Sequence, residues 1–440
     1  MSFVQINFLF IFLPVYILAL RVLPIKFQKI LLVLGGILFY ALGQKGLVYA
    51  LVASVAFNFG LHRWISYVKN KIPLLIITVG MNAGLLVLCK IFGFLPLGVS
   101  FYTFQIISLQ IDLKDEKTAF DDFAVMALYL PKLVMGPLVR YGDYREVLSK
   151  AKSERLVTLA GVEEGLKLFT AGLFLKVVIA DNLATLWNSI SIAGAAGITT
   201  SVAWLGAVTY TIELYMDFWG YSLMAVALGK MFGMPLPENF NEPYSSRSVG
   251  EFWRRWHITL GAWFRDYIFI PLGGSRKGAF RNILNLFIVW LITGIWHGWG
   301  INFLVWSGML FLLIVLEKFT PLGKITKIKG LGNIYLIFVI IISWVVFAIK
   351  TPSELLNYLK CMFGIAVENA SPAKRQFIRF IRTYWYLLAG GAFMMTPLPR
   401  KIYTRFSKKI WMVLLLALMF AISVYFIIQG KGNVFMYYAF

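Results

Sequence analysis

A single histidine, His297, lies inside a long chargeless stretch of the sequence. Residues Asn282–Leu316 contain no Asp, Glu, Lys or Arg, and the stretch is long enough for nearly two membrane crossings, or for one crossing and a re-entrant segment. The glycines Gly298 and Gly300 beside His297 suggest an irregular backbone around it. A titratable side chain at membrane depth costs free energy, so such a residue is a functional-site candidate. Neutral imidazole can act as a general base towards a hydroxyl group. The alternative is a histidine that only satisfies a hydrogen bond between helices.

A second candidate region, Arg247–Gly278, is both aromatic and basic and reads RSVGEFWRRWHITLGAWFRDYIFIPLGGSRKG. Ser248 and Glu251 have the spacing of a capping box, which predicts a helix that begins near Ser248. On that helix Trp253 and His257 are four residues apart and share one face. We expect an interfacial helix that either anchors the protein in the membrane or binds a substrate. Its candidate binding residues are Trp253, Arg254, Arg255, Trp256 and Arg265.

Other polar residues in apolar surroundings need partners. Glu213 and Asp217 are four residues apart, and we expect at least one of them to pair with an arginine of the aromatic and basic region. Lys132 and Lys176 are either structural ion-pair residues or phosphate contacts. His62 begins a basic loop and is interpreted as solvated or interfacial.

The composition predicts an integral membrane protein. The 440 residues are 60% hydrophobic and 14% charged, and chargeless runs recur along the chain. We expect one polytopic domain over residues 1–440, with roughly 11 transmembrane helices plus re-entrant and interfacial helices; the runs do not alternate as barrel strands would. The formal net charge of +22 comes largely from short loops, which indicates positive-inside topology and an outside N-terminus rather than nucleic-acid binding. Basic residues flank Thr383–Pro399 on both sides, so the topology near residues 370–410 stays open.

The cysteine and histidine content argues against structural metal and disulfide sites. Two cysteines, Cys89 and Cys361, form neither a disulfide framework nor a metal-binding pair, and three histidines without paired thiols do not suggest structural zinc.

Several segments together resemble the membrane-bound O-acyltransferase family. The most specific are Phe252–Gly274 (FWRRWHITLGAWFRDYIFIPLGG) and Ile292–Trp306 (ITGIWHGWGINFLVW). They are most similar to the branch of the alginate O-acetyltransferase membrane subunit. Shorter matching segments are LPLGVSFYTFQ at Leu95–Gln105, GPLVRY at Gly136–Tyr141, GLFLKVVIADNLA at Gly172–Ala184 and LPENFNEPYSSRS at Leu236–Ser248.

The resemblance implies an all-α fold in which helices surround a central funnel. It also implies that His297 is the catalytic histidine and that His257 matches the first histidine of the family. His257 is the second catalytic candidate after His297. His257, Asn285 or Asn302 could orient the donor or supply a hydrogen bond. Leu223, in DFWGYSLMA, stands where the alginate branch commonly has an acidic residue and is more like the teichoic acid D-alanyltransferases.

The leading hypothesis is an enzyme of the bacterial plasma membrane that moves an acyl group, acetyl in the first instance, to an extracytoplasmic glycan. The donor would be acyl-coenzyme A or an acyl-carrier-protein thioester, without a tightly bound cofactor or metal. The expected partners are an extracytoplasmic acyltransferase or a small membrane protein, besides the lipid bilayer. Two alternatives remain open: D-alanyl transfer into the teichoic acid pathway, and a transporter or glycan-lipid flippase.

Overall fold

A computed structural model describes residues 1–367 and 375–432 of the chain, and these residues form helices and loops without strands. The helices up to residue 174 are α1 (Leu13–Val22), α2 (Gln28–Gly43), α3 (Val48–Tyr67), α4 (Lys71–Ile91), α5 (Val99–Asp112), α6 (Phe120–Leu128), α7 (Leu130–Leu133), α8 (Tyr141–Lys150) and α9 (Leu159–Phe174). Those that follow are α10 (Asp181–Ala193), α11 (Thr200–Met231), α12 (Val249–Arg255), α13 (Ile258–Phe264), α14 (Ala279–His297), α15 (Ile301–Phe319), α16 (Leu322–Ile325), α17 (Leu331–Ala348), α18 (Pro352–Met362), α19 (Gln376–Met394), α20 (Leu398–Phe406) and α21 (Ile410–Ile428).

Seven helical segments in the described residues are long and apolar enough to cross a membrane, fewer than the roughly 11 spans expected from the chargeless runs. The run Ile91–Ile111 shows one reason, because it is divided between the end of α4 and α5. Gly98, which precedes α5, has a left-handed conformation (φ 68°), which ends any continuous helix there. The fold is that of a multi-pass, all-α membrane protein. The seven segments are Ile25–Gly43, Lys71–Ile91, Leu159–Ala193, Ala279–His297, Ile301–Phe319, Leu331–Ala348 and Ile410–Ile428.

The chargeless run Thr383–Pro399 is divided between α19 and α20. The basic residues Arg400, Lys401 and Arg405 lie on α20, and the arginine side chains there are exposed. The part of the open topology question that concerns residues 370–374 lies outside the described residues.

One compact unit consists of Met1–Leu173 and Tyr221–Glu238. In this unit Lys29 on α2 forms ion pairs with Asp121 (3.1 Å) and Asp122 at the start of α6. Gln105 on α5 donates its Nε2 to the carbonyl oxygen of Val139 at 3.0 Å. Two of the family-like segments therefore meet through this amide side chain.

The interpretation of His62 as a solvated residue is wrong. His62 is on α3 and is fully buried within the first unit. Its ring stacks on that of Phe123 from α6, with 5.8 Å between the centroids. Because α3 packs against α4, α5 and α6, the residue points away from the basic loop that follows it in the sequence.

The second compact unit consists of Phe174–Gly220 and Asn239–Phe440. In it α14 and α15 pack against each other, separated only by a three-residue turn. Gly294 of α14 lies against α15: a Cβ atom there would be 2.4 Å from Ser307 Oγ. Helix α15 also packs against α12 and α17, so α12 is fixed to two apolar helices.

Candidate active site

His297 is the last residue of α14, and its position follows from the glycines after it. Gly298 has an extended conformation (φ 161°, ψ 173°) that ends the helix, and α15 begins at Ile301. A Cβ atom on Gly298 would lie 2.6 Å from the ring of Phe303, so only glycine fits this turn without a shift. The predicted irregular backbone around His297 is confirmed, and the chargeless stretch is two helices.

Aromatic rings surround the His297 imidazole, which is 6% exposed. The centroid of its ring lies 4.5 Å from Trp296, 5.1 Å from Trp306 and 5.1 Å from Phe347. The Phe303 ring is nearly parallel to it at 6.2 Å. Three helices, α14, α15 and α17, thus contribute to an apolar wall around the imidazole.

Trp253 connects the aromatic and basic region to this wall. Its ring centroid is 5.3 Å from Trp290, 5.6 Å from Trp306 and 5.9 Å from Trp344. Trp306 contacts both Trp253 and His297 and is itself fully buried. The two sequence blocks that carry the family resemblance therefore meet in one aromatic cluster.

The helix that carries Trp253 begins where the sequence predicts. Ser248 is the N-cap, and its side chain accepts the backbone N–H of Glu251 at 3.0 Å. The N–H groups of Val249 and Gly250 are bound by Glu317 of α15, at 2.6 and 3.0 Å. Each of the first three N–H groups of α12 therefore has an acceptor. Ser248, next to the helix, accepts one of them, and Glu317, on a membrane helix, accepts the other two.

His257 does not lie on the predicted face beside Trp253, because the helix ends at Arg255. His257 has a left-handed conformation (φ 46°, ψ 52°), which breaks the chain between α12 and α13. The bend is held by the backbone of Asn239, whose carbonyl accepts the N–H of Ile258 at 2.9 Å. The imidazole packs edge-on against Phe218 at 4.7 Å, and burial lowers the pKa of His257 to about 3. His257 is therefore a buried neutral residue and not an interfacial one.

The arginine candidates have different surroundings. Arg255 forms an ion pair with Glu251 at 2.9 Å. Arg265 forms two hydrogen bonds to Asp266, at 2.8 and 3.1 Å. Arg254 is exposed and is near enough to Glu317 for an electrostatic interaction. Arg254 and Arg265 are both exposed, but the guanidinium of Arg265 is bound to Asp266. Arg255 is half-buried and paired within α12.

Asn302, Asn285 and Trp256 make contacts that hold neighbouring segments together. Asn302 donates Nδ2 to the carbonyl oxygen of Phe347 at 2.8 Å, which joins α15 to α17 beside the His297 ring. Asn285 donates to the carbonyl oxygen of Gly274 at 2.9 Å. Trp256 is buried and packs on Trp344 at 5.1 Å.

The partner found for Asp217 corrects the expectation of an arginine. Lys176 lies 2.7 Å from Asp217 and 2.5 Å from Asp181, with all three side chains almost fully buried. Lys176 belongs to a π-helical turn, Leu175–Ala180, a form that often occurs at functional sites. For Glu213, one turn before Asp217, the described residues give Oε2 no hydrogen-bond partner. The structural interpretation of Lys176 is the one these ion pairs favour.

Three residues near the candidate site were not identified from the sequence. Glu317 could have been identified from the sequence as a residue that needs a partner, because it is the only carboxylate in α15. Phe347 and Trp344 could not be identified from the sequence, because the contact of Phe347 with His297 and that of Trp344 with Trp306 depend on how α17 packs against α15.

Comparison with known proteins shows which family contains these sequence blocks. Residues 114–358 match the model of MBOAT, the membrane-bound O-acyltransferase family. The chain is 35% identical over 363 residues to a probable alginate O-acetylase AlgI of Pseudomonas fluorescens, covering 77% of this chain and 71% of that protein. It is 31% identical over 417 residues to a peptidoglycan O-acetyltransferase of Helicobacter pylori, with 81% and 79% coverage.

A teichoic acid D-alanyltransferase of Streptococcus thermophilus is more distant, at 29% identity over 224 residues, which is 46% of this chain and 52% of that protein. The family match includes both the His257 and the His297 blocks. The chain belongs to the membrane-bound O-acyltransferase family and is an O-acyltransferase.

Proposed function

We propose that this protein passes an acetyl group from a thioester donor on the cytoplasmic side to a glycan hydroxyl, or to a partner protein, on the other side of the bacterial plasma membrane. The donor is acetyl-coenzyme A or an acetylated carrier protein. His297 serves as the general base. Family membership supports acyl transfer over the transporter alternative.

The reaction needs one base and no net change in protons. His297 takes the proton of the acceptor hydroxyl, and the oxygen of that hydroxyl attacks the thioester carbonyl carbon. The C–O bond forms, the C–S bond breaks, and the proton passes from the imidazolium to the leaving thiolate. Neutral imidazole suits this exchange because it can accept a proton and return it.

The observation that carries the proposal is the burial of His297 among Trp296, Trp306 and Phe347. An apolar setting excludes water that would hydrolyse the thioester. Arg254 and Arg265 are exposed, and arginine binds phosphate through two parallel hydrogen bonds, for which Arg265 would exchange its bonds to Asp266. We assign them to the donor, whose coenzyme A or phosphopantetheine moiety carries phosphate.

We prefer acetyl over D-alanyl as the transferred group because of how much of the chain aligns with each relative. The alginate and peptidoglycan O-acetyltransferases align with 77% and 81% of the chain, whereas the D-alanyltransferase aligns with 46% of it. Leu223 is the feature that favours D-alanyl. The two donors can be compared directly in membrane vesicles, by supplying labelled acetyl-coenzyme A or a D-alanyl carrier protein.

The test of the base is His297→Ala, assayed for transfer of labelled acetyl into glycan in membrane vesicles. Loss of a general base typically costs about 10²–10⁴-fold in rate. Thr293→Val is the matched control, because Thr293 is one turn earlier on α14 and its hydroxyl already binds the carbonyl oxygen of Val289. A correctly folded His297→Ala protein with wild-type turnover would exclude His297 as the base.

A further inference from the structure

A buried polar cluster lies in the first unit, far in sequence from the candidate active site. Asn82 on α4 donates Nδ2 to Asn58 Oδ1 on α3 at 2.8 Å. Gln110 on α5 donates Nε2 to the backbone carbonyl oxygen of Asn58 at 2.7 Å. These bonds join three helices around one asparagine.

Beside these bonds, several polar atoms of the cluster have no hydrogen-bond partner among the described residues. They are Nδ1 and Nε2 of His62, Oγ1 of Thr78 and Oε1 of Gln110. Each of the three residues is 0% exposed. Buried polar atoms are nearly always paired, with protein or with an ordered water molecule, because an unpaired one costs free energy.

The helix register brings these atoms to one level. The bond between Asn82 and Asn58 fixes the antiparallel alignment of α3 and α4. One helical turn onwards on α3 is His62, and one turn back on α4 is Thr78, so the register puts these two residues at the same level of the helix pair. Because a helix carbonyl points toward the residue four positions later, the Gln110 amide lies on the same turn as His62.

The chemistry of the unpaired atoms selects the ligand. The amide oxygen of Gln110 can only accept a hydrogen bond, the Thr78 hydroxyl can donate and accept, and a neutral imidazole has one donor and one acceptor nitrogen. An anion could not bind Gln110 Oε1, and a cation could not bind the imidazole N–H. The ligand must both donate and accept.

We propose that His62, Thr78 and Gln110 form a binding site for ordered water within the α3–α5 helices. Water is the smallest molecule that both donates and accepts, and the complete burial of the three residues favours it over a larger hydroxyl compound. The Phe123 ring covers one face of the imidazole and leaves its nitrogens, which lie in the ring plane, available to the water. The bound water ties α3, α4 and α5 together.

The test combines a double-mutant cycle with an experimental density map of the full-length protein in lipid nanodiscs. His62→Phe and Thr78→Val should each lower the melting temperature, and their combined effect should be smaller than the sum, because both remove partners of the same water. Thr209→Val is the matched control: Thr209 is also 0% exposed, but its hydroxyl already donates to the carbonyl oxygen of Leu205 at 2.7 Å. His62→Gln, which retains a donor and an acceptor, should melt above His62→Phe.

A water peak within hydrogen-bond distance of His62 and either Thr78 or Gln110 supports the proposal. Direct hydrogen bonds among these three side chains with no water peak would overturn it. Additive substitutions, or a His62→Phe protein at least as stable as wild type, would also overturn it, because a dry site gains when its unpaired nitrogens are replaced by a phenyl ring.

Discussion

The Glu317 carboxylate, near the end of α15, accepts the backbone N–H of Val249 at 2.6 Å and so holds the start of α12. The two residues are 68 positions apart. Helix α15 also carries Trp306, which packs on His297. One membrane helix therefore positions both parts of the candidate active site.

Replacing Glu317 by Gln should loosen α12. The substitution puts an N–H₂ group where a carboxylate oxygen accepted a backbone N–H, and loss of such a cap typically costs about 0.5–2 kcal/mol. We expect a lower melting temperature and slower acyl transfer. Glu163→Gln is the control, because the Glu163 side chain that pairs with Lys167 is 68% exposed, and it should change neither property. Equal effects of the two substitutions would contradict the anchoring role of Glu317.

Replacing Gly294 by Ala should disturb the α14–α15 packing next to His297. The added Cβ would be 2.4 Å from Ser307 Oγ and 3.0 Å from the carbonyl oxygen of Phe303. Overpacking of this kind costs about 1–3 kcal/mol. The control is Gly308→Ala on α15, where a Cβ meets no atom within 4 Å. The measurement is the melting temperature of both variants in detergent. A Gly294→Ala protein as stable as Gly308→Ala would show that the added Cβ does not disturb the packing of α14 on α15.

Removing the positive charge of the buried Lys176 should strongly lower the stability of the folded protein. Lys176→Met leaves Asp181 and Asp217 without their ammonium partner, and breaking a buried ion pair in this way costs about 3–5 kcal/mol. Lys150→Met removes a surface ion pair with Glu146 and should cost little. The measurement is the yield of monodisperse protein and its melting temperature. Similar values for the two variants would show that the cluster does not stabilise the fold.

The buried His257 should make the protein less stable in acid. Burial lowers its pKa in the folded state to about 3, whereas the unfolded value is about 6.5. The contribution to stability is therefore complete above pH of about 6.5. It falls as the pH decreases from there towards 3, by about 1.4 kcal/mol per pH unit, because only the unfolded state takes up the proton.

The comparison variant for this effect is His257→Asn, because asparagine tolerates the left-handed conformation at φ 46° and has no proton to bind in this range. Melting temperatures of the variant and wild type, followed from pH 7 to pH 5, should show the steeper decline in wild type. Parallel curves would mean that His257 takes up its proton equally in both states.

The sequence by itself determined those features that depend on residues close together in the chain. The chargeless stretch around His297 predicted a buried titratable residue between apolar helices, because nothing nearby in the chain could solvate it. Ser248 and Glu251 predicted the start of α12, because a capping box needs only residues three positions apart. The glycines beside His297 predicted the broken backbone.

Relationships between distant segments were decided only by tertiary structure. The sequence left open whether Lys176 pairs with carboxylates, and helix packing brings Asp217 to it. His62 looked solvated because a basic loop follows it, but burial depends on which face of α3 packs on its neighbours. The left-handed conformation of His257 ended a helix that periodicity would continue, since its bend depends on the backbone of Asn239. A local pattern specifies a helix and its apolar face, whereas the choice of partner follows from the packing of the whole chain.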